Sequence, residues 1–243
     1  MEIHSASDIA QLVNQRGFLP FFAGEISDFS LEEVTPLELW FPDDGPDMGV
    51  WDYKSDVIMQ AGCAYGRFYR GKACFVSLKW YRHLVNYRRA CFTLSPTERD
   101  ILAVLREHRS LLSGELKRLC GYIAPRQPRV TNPLERIARD QLCALTKRHT
   151  SPGEKKRHSF DHAITHLQMA GYVLCADFEY KHDRHGKRYG WGMARYCTPE
   201  DFFGPEAMAV DCTPLESTQI LRDHLVTLLP YASEAQIEHI LHQ

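Results

Sequence analysis

The sequence predicts an α+β chain that is mostly helical, with short β-hairpins and a helical C-terminal tail. Two patterns carry this reading. Apolar residues recur at helical spacing behind capping residues, and twice a pair of β-prone runs brackets a glycine-bearing turn. Hydrophobic residues make up 44% and charged residues 25% of the 243 positions, enough for one large domain or two modest ones. No apolar run approaches the roughly 18–20 residues that span a bilayer, so no membrane partner is expected. The opening Met1-Glu2-Ile3-His4 lacks the basic-then-apolar pattern of an export signal. Eight cysteines, scattered singly from Cys63 to Cys212 with no C-x-x-C, predict free thiols in a reducing cytoplasm.

The elements follow in order. Ile9, Leu12 and Val13 share a face of a helix from Ser7 to Arg16, which Gly17 stops. Ser30 and Glu33 have capping-box spacing for a short helix. The stretch Phe41-Pro42-Asp43-Asp44-Gly45-Pro46 reads as a loop, and Val50-Trp51-Asp52-Tyr53-Lys54 opens a helix. Cys63–Tyr69 and Ala73–Leu78 are expected as strands joined around Arg70-Gly71-Lys72, a basic hairpin tip. Trp80–Arg89 is basic, aromatic and helical. Ser95-Pro96-Thr97-Glu98 combines an N-cap, a proline at the first helical position and a glutamate at the third, ahead of Ile101, Leu102 and Leu105. Ser113 caps a second helix with Leu116, Leu119 and Cys120 inside. A third, within Ser159–Ala170, buries Phe160, Ile164 and Leu167 and ends at Gly171. The run Tyr172–Phe178, a charged turn Lys181–Arg188 and Tyr189–Tyr196 form a second hairpin. Ser217–Leu229 and Ser233–Leu241 are amphipathic helices split by Pro230. No tandem repeat of one motif is visible.

Helix, helix, helix and hairpin is the order of a winged helix-turn-helix module, whose third helix enters the major groove while the hairpin tip reaches the backbone. An insertion, residues 124–158, separates its second and third helices and carries +6. Within it, Asn132-Pro133-Leu134-Glu135 repeats the cap–proline–glutamate signature. The expected organisation is an N-terminal winged-helix-like segment (1–92) with hairpin 63–78, a winged helix-turn-helix module (93–205), and a C-terminal helical tail (206–243).

The net charge of −2 hides a division along the chain: residues 1–60 carry −10, residues 61–200 carry +14, and residues 201–243 carry −6. A basic block of that size is an electrostatic footprint for a polyanion, most often nucleic acid. The acidic N-terminal segment is a candidate screen for that basic face. Phosphate contacts need positive charge and little geometry, which makes the second tip, with Arg184, His185, Lys187 and Arg188, the sharpest candidate. The first tip adds Arg70 and Lys72, and the insertion adds Arg126, Arg129, Lys155, Lys156 and Arg157. Opposite the apolar face of the third helix stand Asp161, His162, Thr165, His166 and Gln168, side chains able to hydrogen-bond base edges or phosphates.

Other chemistry has weaker support. His158, His162 and His166 recur every fourth residue, but no HExxH pattern or cysteine pair accompanies them, so a polar stripe is expected rather than a metal site. No P-loop, Gly-x-Gly-x-x-Gly or nucleophile-elbow serine is present, and no cofactor is expected. Glu25, Asp28, Asp52 and Asp56 are too many in one acidic segment to single out a general base. Phe21, Phe22, Trp51 and Tyr53 suit either stacking on a base or core packing, with core favoured.

At Val50-Trp51-Asp52-Tyr53-Lys54-Ser55-Asp56, Tyr65-Gly66-Arg67 and Arg70-Gly71-Lys72-Ala73-Cys74-Phe75-Val76-Ser77, the sequence resembles the small bacterial relatives of the winged-helix DNA glycosylases, a family that excises alkylated bases and unhooks interstrand crosslinks. The likeness extends over most of residues 1–205. It implies tandem winged-helix units around a DNA channel. Members of the family activate water with a Gln, an apolar residue, then Gln or Asp. The comparable stretch here, Gly17-Phe18-Leu19-Pro20-Phe21-Phe22, has no such pair. The expected function is therefore a winged-helix, glycosylase-like DNA-binding protein of DNA repair that contacts duplex DNA through the third helix, wing and insertion. The alternatives are an active glycosylase with a divergent site and a protein-interaction scaffold.

Overall fold

The structure is a computed structural model in which residues 3–40, 49–123, 159–186 and 188–242 are described. It opens with α1 (Ala6–Arg16), capped by the Ser5 hydroxyl, which accepts from the Asp8 N–H. Gly17 ends it at φ 79° and donates its N–H to the Val13 carbonyl. A Cβ at Gly17 would stand 2.2 Å from Trp80 Cδ1, so the turn and the packing both require glycine. Then come β1 (Phe18–Pro20), α2 (Leu31–Val34), α3 (Leu37–Trp40), α4 (Lys54–Ala61), the hairpin β2 (Cys63–Tyr69) and β3 (Lys72–Ser77), and α5 (Leu78–Cys91).

The first sheet is antiparallel in the order β1-β3-β2. Strand side chains alternate between faces, and here both faces are covered. Leu19, Cys63, Tyr65 and Phe75 pack with Ile9, Leu12 and Val13 of α1 and Val57 and Ile58 of α4. Their neighbours Phe18, Ala64, Cys74 and Val76 pack with Tyr81, Leu84 and Val85 of α5 and with the C-terminal helices. That is why the strands are apolar almost throughout rather than alternating.

The second half repeats the plan. It comprises α6 (Pro96–His108), β4 (Ser110–Leu112), α7 (Ser113–Leu119), α8 (Phe160–Met169), and the hairpin β5 (Leu174–His182) and β6 (Arg188–Cys197). Its sheet order is β4-β6-β5. In each half a helix leads into a three-residue strand, and that strand pairs with the returning strand of the later hairpin. The sequence shows no repeat, yet the topology is duplicated. Short α9 (Pro199–Phe203) and α10 (Pro205–Met208) follow, then α11 (Pro214–Leu228) and α12 (Glu234–His242) against α5.

The capping boxes at Ser30/Glu33 and Ser95/Glu98 form as predicted. Several boundaries move. Leu112, not Ser113, is the N-cap of α7, and its N–H donates to Glu115. Tyr172 and Val173 are not strand, because their N–H groups return to the Leu167 carbonyl to close α8. Lys181, His182 and Arg188, read as turn, are hairpin strand. The helix expected to open at Val50 starts at Lys54. β1, β4, α3, α9 and α10 were not predicted. The Phe41–Pro46 loop and the helix after Asn132 lie outside the described residues.

Arg88 is fully buried on α5. Its guanidinium donates to the carbonyls of Met169, Ile240 and Leu241 at 2.8–3.1 Å, at the ends of α8 and α12. A cation at helix C-termini is favourable, and the planar fork matches several acceptors at once. Burial pulls its pKa down to about 10, so the charge persists at neutral pH. Arg88→Met should cost at least about 3 kcal/mol in urea unfolding, since each hydrogen bond from a charged group contributes roughly 1.5–3 kcal/mol. A loss below about 1 kcal/mol would remove this structural role.

Candidate nucleic-acid interface

The second hairpin projects its tip into solvent: Lys181, His182, Arg184 and His185 are all exposed. Gly186 makes the turn at φ 79°, and its N–H donates to the Asp183 carbonyl. The base of the hairpin is fixed to the first unit. Arg188 pairs with Asp52, just ahead of α4, and its guanidinium lies 3.3 Å from the Tyr180 ring centroid. The Phe178 N–H donates to Ser55 Oγ at 3.2 Å, and the Lys54 ammonium sits 4.2 Å above the Phe178 ring. Burial lowers the Lys54 pKa. Arg188 therefore anchors the wing-like hairpin. Lys187, Arg126, Arg129, Lys155, Lys156 and Arg157 lie outside the described residues, as does His158.

The outer face of α8 is not what the sequence suggested. Gln168 is 1% exposed. Its Oε1 accepts from the Arg67 N–H at 3.1 Å, and its Nε2 donates to the Ile164 carbonyl. Gly66 permits this approach, because a Cβ there would stand 3.0 Å from Gln168 Oε1. Thr165 Oγ1 accepts from Arg67 Nη1 at 3.1 Å and donates to the Asp161 carbonyl. His166 Nδ1 lies 2.8 Å from Oε1 of buried Glu98. Thr165, His166 and Gln168 do not form an open base-reading face: α8 docks sideways on β2 through Thr165 and Gln168, and His166 faces Glu98 of α6 and Phe92. Of the five residues expected on that face, Asp161 and His162 are exposed.

The first tip lies beside this contact, with Gly71 in van der Waals range of Thr165 and Met169 should it carry a Cβ. Arg70 pairs with Glu25, and Lys72 is exposed. The Arg70 hydrogen bond, with His239 assisting, holds the Glu25 carboxyl below its usual range. Thus two carboxylates of the acidic segment, Glu25 and Asp52, sit on two arginines of the basic tips. Elsewhere Arg89 meets Glu200, Arg109 meets Asp201, Lys117 meets Asp161 and Arg195 meets Glu179. Such partly exposed pairs are screened by solvent and individually weak. Arg67, Lys72, Lys181 and Arg184 have no carboxylate partner among the described residues.

Glu25 also lines a cleft of about 420 Å³ with Arg16, Asp28, Phe29, Tyr231 and Gln236, between the loop after β1 and the α11–α12 turn. Burial pushes the thiols of Cys63, Cys74, Cys175 and Cys197 up to about 12, so these are inert. No group of three or more metal-ligating side chains occurs among the described residues. Phe21 is core, while Phe22, Trp51 and Tyr53 are half-buried around it. Sequence reasoning missed Tyr189 and Trp191, which are 53% and 83% exposed. The available signal was the pattern Tyr189-Gly190-Trp191-Gly192, aromatics alternating with residues that cannot cover them.

No described helix is long and apolar enough to cross a membrane. Gln168→Ala should cost about 1–3 kcal/mol of stability, because it strands the Arg67 N–H, whereas His162→Ala should stay within about 0.5 kcal/mol. Equal, small effects in thermal unfolding would return α8 to the surface. A family model described as AlkZ related matches residues 3–242. No curated protein matches the chain. No solved structure matches it either.

Proposed function

We propose, from the premise that the chain belongs to the AlkZ-related family, that it is a glycosylase-like DNA-binding protein of DNA repair built from two winged-helix units. The repeated order of helix, short strand, helices and hairpin, with the first strand beside the returning hairpin strand, supports the winged-helix reading. The single observation that carries the binding mode is the inward packing of α8 with both hairpin tips left outside. Duplex DNA then meets the protein through Lys72 on the first tip and Lys181, Arg184 and His185 on the second. The insertion cations, Arg126, Arg129, Lys155, Lys156 and Arg157, add to the same field, as does Lys187. Arg70 joins by exchanging Glu25 for phosphate, while Arg188 stays on Asp52 and holds the base of the hairpin. These contacts position the backbone and carry little sequence information.

Reversing Lys181 and Arg184 together to Glu should weaken duplex binding at every sequence tested. It should also lower the slope of log affinity against log salt by about one for each phosphate contact removed. Unchanged affinity would discard the wing as a contact and favour a protein-interaction role.

A second reading, active base excision, has one specific observation in its favour. Glu25 is held ionised by Arg70 at the mouth of a cleft. A carboxylate so placed can stabilise positive charge on a sugar while water attacks and the base departs. Incubation with alkylated DNA should then leave abasic sites, and Glu25→Gln should cut their formation by about 100-fold. If the native protein forms none, binding without excision stands.

A further inference from the structure

We propose that the β5–β6 hairpin is a stacking platform for an unpaired base, with the Trp191 indole as its floor, so that the preferred ligand is DNA carrying an unstacked nucleotide rather than intact duplex. This rests on the nucleic-acid reading above and narrows its substrate class. The first observation is exposure. Trp191 is 83% exposed and Tyr189 53%, on a strand whose other large side chains are half-buried. An indole left in water forgoes a substantial burial contribution, and a flat ligand that covers it recovers that contribution.

The second observation is local design. Gly190 adopts φ 74° with open space where a Cβ would stand, so no side chain shields the indole from that side. Gly192 is pressed against Tyr180, where a Cβ would come within 2.8 Å of Cζ, so the chain must lie close to that ring. Trp51 and Trp191 meet in a T-shaped contact, with centroids 6.4 Å apart and planes at 81°, which props the indole while 83% of its surface stays exposed. The platform is also stiff, because the Arg188–Asp52 pair and the Phe178–Ser55 bond tie the hairpin base to the first unit. A preorganised ring loses little freedom when a base covers it.

The third observation identifies the occupant. Lys181 is the cross-strand partner of Tyr189, and Arg184 stands at the tip beyond it. A flat ligand with an anionic group beside its π-face fits an aromatic pair with cations at its tip end. That is a nucleotide within a strand. In intact B-DNA both faces of each base are occupied by neighbours, so an indole can stack only where a base is flipped, bulged or single-stranded.

The test measures binding of the full chain to three labelled oligonucleotides of equal length: an intact duplex, a duplex with one unpaired nucleotide, and a single strand. The native protein should prefer the latter two. Trp191→Ala should weaken those two by about 10- to 100-fold and leave the intact duplex within about twofold, while Trp191→Phe keeps most of the affinity. The Lys181/Arg184 double reversal should weaken all three. Loss from Trp191→Ala that is equal on all three ligands, or absent, overturns the platform while the DNA reading stands. Failure of the native protein to bind any of them overturns both. The substituted side chain is on the surface, and circular dichroism of each variant confirms that the fold is retained.

Discussion

The docking of α8 on β2 determines which surfaces the protein can offer. One carboxamide, Gln168, accepts from the backbone of Arg67 and donates to its own helix, filling a gap that Gly66 leaves open. A buried amide so engaged is costly to expose, because both its partners lose their bonds together. The contact continues through Thr165 to the Arg67 guanidinium, and above it Phe178 meets Tyr65 with ring centroids 5.5 Å apart. The two halves, each with a three-stranded antiparallel sheet, therefore share an interface through α8. What remains outside is the pair of hairpin tips.

Local features were legible in the sequence and pairings across the chain were not. Ser95-Pro96-Thr97-Glu98 specifies a helix start because every interaction it needs lies within four residues. Strands β1 and β4 are three residues each, and Phe18–Pro20 even contains a proline; they exist because Phe75 and Tyr196, far along the chain, offer a strand edge. The apolar face of α8 was read correctly as Phe160, Ile164 and Leu167. Its polar face reads as free to contact base edges or phosphates because amphipathicity reveals one packing partner, and this helix has two. Trp191 escaped notice for a related reason. Composition marks a tryptophan as core material, and only its strand environment shows that it is 83% exposed.

Electrostatics follows the same division between composition and placement. The +14 of the middle segment pointed to a polyanion, and the fold sets some of the acidic N-terminal charge directly upon it, at Arg70 and Arg188. The two pairs differ in setting: Arg70 lies on the surface, whereas Arg188 is half-buried against Tyr180. The four buried thiols, by contrast, contribute volume rather than reactivity.

The buried guanidinium of Arg88 has a consequence for how the chain comes into being. Two of its acceptors, the carbonyls of Ile240 and Leu241, stand 152 and 153 residues downstream. At about 5–20 residues per second, synthesis needs roughly 8–30 s to deliver them. Until then a cation inside the nascent core has incomplete partners, and α5 has no settled position between the halves. The final assembly of this region accordingly waits for α12 to be made, rather than proceeding unit by unit along the way.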